Sequence, residues 1–271
     1  MKIGHYQLET EPGNYDHNLV RLIEGLREAD RQKNDILSFP ESFLTGYFSD
    51  SKKARKHSFS IKSPEVIALL EKTAEFEAMF IVGFNEFRDG CLYNSALVAE
   101  HGNLKGVYSK AFPCHDYFTP GRDFPIFERN GIKFGVVICA DGGHIEPSRI
   151  LALKGASIIF SPHYNYINKE NLINHFQKVR SDHIARATEN GIWFVRGNSV
   201  TKGYDTGLEM DGVGYGDSYI LDPFGEMMAR SQRHTEGLIS ATINLDFPSA
   251  GTRSKKSFIE LGGILQKAID Q

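Results

Sequence analysis

The chain has 271 residues, with 31 basic against 34 acidic side chains, a net charge of −3 and 41% hydrophobic residues. That length allows about three quarters of the unfolded surface to be buried, in one large domain or two small ones. The near-neutral balance provides no field for nucleic acid or an anionic membrane, so neither is expected as a partner. Three cysteines, Cys91, Cys114 and Cys139, are odd in number and lack C-x-x-C spacing, which argues against a disulfide framework or a zinc knuckle.

The opening residues turn polar within the first ten, and no stretch approaches about 18 apolar residues. No membrane span is expected, and the cytoplasm is the expected location. Lys2 to Leu8 reads as a strand. Leu19, Leu22, Ile23, Leu26 and Ala29 then take the one-face spacing of an amphipathic helix over 18–29. "DILSFP" is a short buried strand, Val66, Leu69, Leu70 and Thr73 mark a second helix, and "MFIVGF" is the strand after it. "LYNSALVAE" and "LKGVYSK" flank the turn signal His101-Gly102-Asn103 and predict a hairpin. "KKARK" at 52–56 and "RSKK" at 253–256 read as solvated runs.

From Ile132 the alternation of strand and helix resumes. "IKFGVVIC" is a strand, 145–154 a helix, "ASIIFS" a strand, 176–190 a longer helix and "IWFVRGN" another strand. "DSYILDPFGEMMARS" predicts a hairpin turning at Asp222-Pro223-Phe224-Gly225, and "GLISATINL" a last strand. Hairpins mixed into a helix–strand alternation do not suit one purely parallel sheet. The expectation is a single α/β domain over 1–271, with two mixed sheets face to face and helices covering both outer faces. "GVGYG" at 212–216 has the glycines of a dinucleotide loop but leads into a strand, not a helix.

Three strand ends carry groups that packing alone does not require. Cys139 ends an apolar strand just before a helix, where a side chain is lifted clear of the sheet and backbone N–H groups face a developing oxyanion. Glu41 follows a buried strand between Pro40 and apolar residues, and Lys110 stands at the exit of "LKGVYSK". Alone, each has an ordinary reading: a buried cysteine, a solvated loop acid, a snorkelling edge lysine. Together, thiol, carboxylate and ammonium are the groups that split an amide. The thiolate attacks, the base carries the proton to the leaving amine, and the cation holds the oxyanion. Proton transfer from thiol to carboxylate is uphill by about four pKa units at reference values. The site is therefore expected to narrow that gap, by burial around the acid and by Lys110 lowering the thiol.

"FPESFLTGY", "GVYSKAF" and "GVVICADGGHIEPSR" resemble the three signature segments of the nitrilase superfamily of carbon–nitrogen hydrolases. "HYQLE" with Asn18, "LYNSALV", "TPG" at 119–121, "RATENGIWFVRGN" and "DSYILDPFGE" are similar to its lesser blocks, in order, over nearly the whole chain. The resemblance implies a four-layer αββα sandwich, paired into a homodimer or a larger assembly, with no metal and no organic cofactor. It places the nucleophile on Cys139, the general base and acid on Glu41 and the stabilising cation on Lys110. The backbone N–H of Ala140 would join the oxyanion hole. The implied activity is hydrolysis of a small amide or N-carbamoyl compound through a thioester.

Two departures bear on that implication. Many members carry a second glutamate between the lysine and the "PG" of this loop, where this chain has "KAFPCHDYFTPG". Asp116, or in second place His115, is the expected substitute. Nitrile-cleaving members commonly follow the cysteine with tryptophan and glutamate, whereas Ala140-Asp141 looks more like the amidase and carbamoyl-hydrolase branches. His163 and Tyr164, with Asn165, lie where members place pocket residues, and Glu146 with Arg149 is expected to form a structural ion pair near the elbow. Nitrile hydrolysis, and a binding or regulatory protein that keeps the fold without turnover, stand as alternatives.

Overall fold

The computed structural model describes residues 1–245 and, beyond them, 262–263 and 267–268; the "RSKK" run lies outside the described residues. In chain order the elements are β1 (Lys2–Gln7), α1 (Tyr15–Arg31), β2 (Ile36–Ser38), α2 (Ser51–Lys56), α3 (Pro64–Lys72), β3 (Met79–Arg88), β4 (Cys91–Glu100) and β5 (Asn103–Ser109). They continue with β6 (Phe127–Arg129), β7 (Ile132–Val136), α4 (Ile145–Leu153), β8 (Ile158–His163), β9 (Tyr166–Ile167), α5 (Leu172–Asn190) and β10 (Trp193–Asn198). The last are β11 (Val200–Thr201), β12 (Val213–Tyr215), β13 (Tyr219–Leu221), β14 (Met227–Arg230) and β15 (Gly237–Thr242).

One sheet runs β15-β1-β2-β3-β4-β5 and the other β14-β13-β10-β8-β7-β6. Each has three adjacent parallel strands, β1 to β3 in one and β7, β8 and β10 in the other, with antiparallel strands outside them. Alternation along a strand explains the layers. In β3, Met79 and Ile81 point into a cluster shared with Val136, Phe160 and Val195 of the other sheet. Phe80 and Val82 point the other way, onto Leu22 and Leu26 of α1 and Leu69 of α3. The second sheet does the same, with Ile159 and Phe194 meeting Leu151 of α4 and Ala187 of α5. A strand that packs on both faces reads as a continuous apolar run, which is why "MFIVGF" shows no polar alternation. The result is the expected α/β sandwich of two mixed sheets between helices.

Local chemistry sets the helix ends. Asn14 caps α1, its side chain accepting from the His17 N–H at 3.2 Å. Gly191, at φ +63°, ends α5 in the left-handed conformation. The "KKARK" run is more than a solvated patch: with Asp50 accepting from the Lys53 N–H at 2.8 Å it winds into α2, which buries Ala54 alone. The strand read as "IKFGVVIC" ends its ladder at Val136, and Cys139–Gly143 form a 3-10 turn. "GVGYG" becomes β12, the middle of a small sheet with β9 and β11.

Candidate active site

The strand-to-helix turn after β7 puts Cys139 at φ +49°, a left-handed conformation costly for a residue with a Cβ. Asp141 holds it there. Its buried carboxylate accepts from the backbone N–H of Ile138 at 3.0 Å, from Phe112 N–H at 2.8 Å and from the Tyr108 hydroxyl at 2.7 Å. One side chain thereby ties the elbow to the end of β5, from which Lys110 follows.

Glu41 enters from the end of β2, 1% exposed. Its loop lies against β3 at Gly83, where a Cβ would sit 2.3 Å from Ser42 N and 2.7 Å from Glu41 Cα; only glycine leaves that room. Glu41 Oε1 accepts from Lys110 Nζ at 2.6 Å and from Asn94 Nδ2 at 2.7 Å, while Oε2 accepts from Tyr164 N–H at 2.8 Å. Burial opposes the charge of Lys110, but the Glu41 carboxylate, together with Cys139, Tyr47 and Cys114, outweighs it and holds the ammonium well above its ordinary pKa. Glu41 and Cys139 open into one cavity of about 550 Å³, and Asn165 Nδ2 donates to Cys139 Sγ at 3.3 Å.

The chain has relatives. The family model for carbon–nitrogen hydrolases matches residues 2–249. The chain belongs to the carbon–nitrogen hydrolase family. A probable nitrilase of Schizosaccharomyces pombe is 30% identical to it over 95% of this chain and 94% of its own. An (R)-stereoselective amidase of a Pseudomonas species is 28% identical over 86% of this chain and 81% of its own. The crystal structure of a carbon–nitrogen hydrolase from Helicobacter pylori superposes with a TM-score of 0.79 at 24% identity, covering 89% of this chain and 88% of that one, a likeness of fold.

The fold of this carbon–nitrogen hydrolase thus brings Glu41, Lys110 and Cys139 together from three strand ends. Ala140, His163 and Tyr164 also line the cavity. His163 is buried, with Nε2 on Ser161 Oγ at 3.0 Å and Nδ1 without a partner among the described residues. Tyr164 serves Glu41 through its backbone, stacks on Tyr47 at 5.5 Å and donates its hydroxyl to Asp205 at 2.7 Å. His115 lines the cavity between Tyr47 and Tyr117, with ring centroids at 5.4 and 5.2 Å.

Two expectations are corrected. Asp116 does not stand in for the absent acid: it is exposed and outside the cavity lining. The side chain of that loop that reaches Lys110 is Cys114, whose sulfur accepts from Nζ at 3.6 Å. Likewise, the acid beside Arg149 is Glu189 of α5, whose carbonyl accepts from Nη1 at 3.0 Å and whose carboxylate lies 3.9 Å away, while Glu146 is exposed. α4 packs on α5, so the arginine reaches across the helix pair and not along its own helix.

The thiol also differs from the expectation that Lys110 would lower it. Burial pushes the Cys139 pKa up, the Glu41 carboxylate adds to this, and Lys110 opposes both without prevailing. The resting group is a neutral thiol. Its sign is testable: a raised pKa keeps the thiolate scarce until pH exceeds the ordinary thiol range. Alkylation of Cys139, followed on its own peptide by mass spectrometry, is expected to have its midpoint above about 8.5. A midpoint at or below that value would mean Lys110 controls the sulfur.

No group of three or more His, Cys, Asp or Glu among the described residues could hold a metal ion. No helix there is long and apolar enough to cross a membrane. Residues that sequence reasoning left out include Asn94, Cys114 and Arg196. Only Arg196 carried a signal, a charge inside the apolar strand "IWFVRGN".

Proposed function

We propose that this hydrolase cleaves the carbon–nitrogen bond of a small non-peptide amide or N-carbamoyl compound through a thioester on Cys139. The observation that carries this reading is a buried carboxylate, fixed by an ammonium and two further donors, opening into the same cavity as the thiol. Glu41 takes the thiol proton as sulfur bonds to the carbonyl carbon. It returns that proton to nitrogen as the C–N bond breaks and ammonia or an amine leaves. Glu41 then takes a proton from water as its oxygen attacks the thioester. The C–S bond breaks and sulfur is reprotonated. Lys110 and the Ala140 N–H stabilise the oxyanion of both tetrahedral intermediates.

Amides and carbamoyl compounds are favoured over nitriles because Ala140-Asp141 replaces the tryptophan and glutamate of nitrile-cleaving members, and because the Asp141 carboxylate is occupied in holding the elbow. The relative named as an amidase supports the same choice. The reading includes a single catalytic domain working in the cytoplasm as a homodimer or a larger homo-oligomer, expected to sediment at twice the chain mass or more.

Ammonia release across a panel of amides, N-carbamoyl compounds and nitriles, with intact-mass detection of an acyl adduct, tests the reading. Turnover of amides or carbamoyl compounds with an adduct on Cys139 is expected, and Cys139→Ala should lower it by at least about four orders of magnitude. Turnover of nitriles alone overturns the substrate class. Neither ammonia nor adduct would favour a binding protein that keeps the fold.

A further inference from the structure

We propose that Asn165 is a catalytic residue of this site, donating from Nδ2 to the Cys139 sulfur whenever negative charge collects there, and that buried Arg196 is the positioning residue that keeps this donor turned toward it. The proposal rests on the thioester reading for its catalytic part, but not for the effect on the thiol.

The orientation of the Asn165 amide follows from chemistry. Arg196 Nη2 lies 2.7 Å from one end of that amide. A guanidinium has five N–H donors and no acceptor, so the atom facing it is the oxygen, Oδ1. The NH₂ end must then face the sulfur, 3.3 Å away. The backbone of Asn165 is pinned as well, its N–H donating to Asn198 Oδ1 at 2.9 Å.

Arg196 itself cannot swing. It stands in β10 at 1% exposure, with Nη1 donating to the carbonyls of Gly216 at 2.9 Å and Asp217 at 2.6 Å. The rings of Tyr215 and Tyr219 lie 5.3 and 5.5 Å from its guanidinium carbon. A buried charge costs stability, and an apolar residue would suit this strand better. Nη2 also donates to the Tyr215 hydroxyl at 2.9 Å, and the one side-chain amide that the charge fixes and polarises among the described residues is that of Asn165.

The reaction has two moments at which sulfur carries charge: when its proton passes to Glu41 during attack, and when the C–S bond breaks and the electron pair returns to sulfur. Lys110 Nζ donates to Glu41 at 2.6 Å and to the Cys114 sulfur at 3.6 Å. Among the described residues, the N–H donor within hydrogen-bond distance of the Cys139 sulfur is Asn165 Nδ2.

The test is the pH profile of Cys139 alkylation by iodoacetamide, read on the Cys139 peptide, beside kcat on the substrate found above. Asn165→Leu removes the donor, and Asn165→Asp replaces it with a carboxylate oxygen that repels a thiolate. Both are expected to raise the midpoint by at least about half a pH unit and to lower kcat by about 10- to 100-fold. Arg196→Lys should shift the midpoint the same way by less. The double variant Asn165→Leu/Arg196→Lys should match Asn165→Leu alone, because Arg196 acts through the amide. A wild-type midpoint in both Asn165 variants overturns the proposal. Additive shifts in the double variant, or an Arg196→Lys chain that does not fold, assign Arg196 to structure and overturn its positioning role. Alkylation needs no substrate, so absent turnover with a shifted midpoint refutes the hydrolase reading and the catalytic part, and leaves the effect of Asn165 on the thiol established.

Discussion

Lys110→Met is expected to destabilise the folded chain by about 3–5 kcal/mol, and Lys110→Met/Glu41→Gln to recover most of that loss. Both residues are 1% exposed, and their charged groups lie 2.6 Å apart. Removing the ammonium leaves a buried carboxylate with only Asn94 Nδ2 and Tyr164 N–H to hold it. The second substitution removes the stranded charge, and glutamine retains an acceptor for one of those donors. Activity should behave differently. The single variant loses the oxyanion cation and the double variant also loses the base, so kcat/KM should fall by about 10³-fold or more in both. Urea unfolding at 25 °C beside ammonia release gives the two readouts. A single-variant loss under about 1 kcal/mol would show that the pair is not sealed from water, and recovery of activity in the double variant would remove Glu41 from the chemistry.

The separation of those two readouts is the reason the pair points to catalysis. Well-packed apolar residues could fill the same space at no cost in stability. An ammonium and a carboxylate enclosed beside a thiol, at the ends of strands from both sheets, have no packing advantage to explain them.

Much of this was legible because strand ends in a two-sheet sandwich are defined by apolar runs, and a charge that closes such a run is visible. "DILSFP" delivers Glu41, which follows it, and "IKFGVVIC" delivers Cys139, its last residue, to one cavity, while "LKGVYSK" ends on Lys110, which reaches Glu41 behind it. What stayed hidden depends on the turning of single side chains within loops. In "PCHDYF", nothing local says that Cys114 and His115 face the cavity while Asp116 does not, since one loop residue more or less reverses the direction. The Glu146–Arg149 spacing suits an ion pair along one helix, yet the packing of α4 on α5 offered Glu189 instead. α2 buries one residue, so no apolar stripe announced it, and β9, β11 and β12 are too short for periodicity to register.

Acid should unfold this chain well above the range in which carboxylates titrate, and the cause is its neutral histidines. His5 lies fully buried between the sheets, with Nε2 3.2 Å from the Asn198 carbonyl and Nδ1 3.0 Å from Ser38 Oγ. A carbonyl only accepts, so Nε2 carries the proton and Nδ1 accepts from the hydroxyl. Protonating Nδ1 puts a charge in the core, and burial lowers the pKa from 6.5 to about 3 although the hydrogen bonds at Asn198 and Ser38 favour the charged ring. The folded value lies below the unfolded one, so above about pH 6.5 His5 costs nothing. Between the two values the unfolded chain gains a proton that the folded chain refuses, and stability falls by about 1.4 kcal/mol per pH unit, or about 2 kcal/mol at about pH 5. Burial likewise pushes His163 and His183 well below the usual value, and His175 to about 4. Asp141, raised by burial, works in the opposite direction and offsets part of the loss, while Asp217, held low against burial by Arg230, loses its contribution only in stronger acid. Urea unfolding at about pH 7.5 and pH 5 should therefore show a loss of at least about 2 kcal/mol. His5→Gln, which can still donate to Asn198 and accept from Ser38, should lose about 2 kcal/mol less between those pH values than the wild type. Equal losses in the two chains would place the acid sensitivity elsewhere. A wild-type stability that is flat over this interval would mean that the buried imidazoles are reached by water, and with them the wall of the cavity that His163 and His183 line.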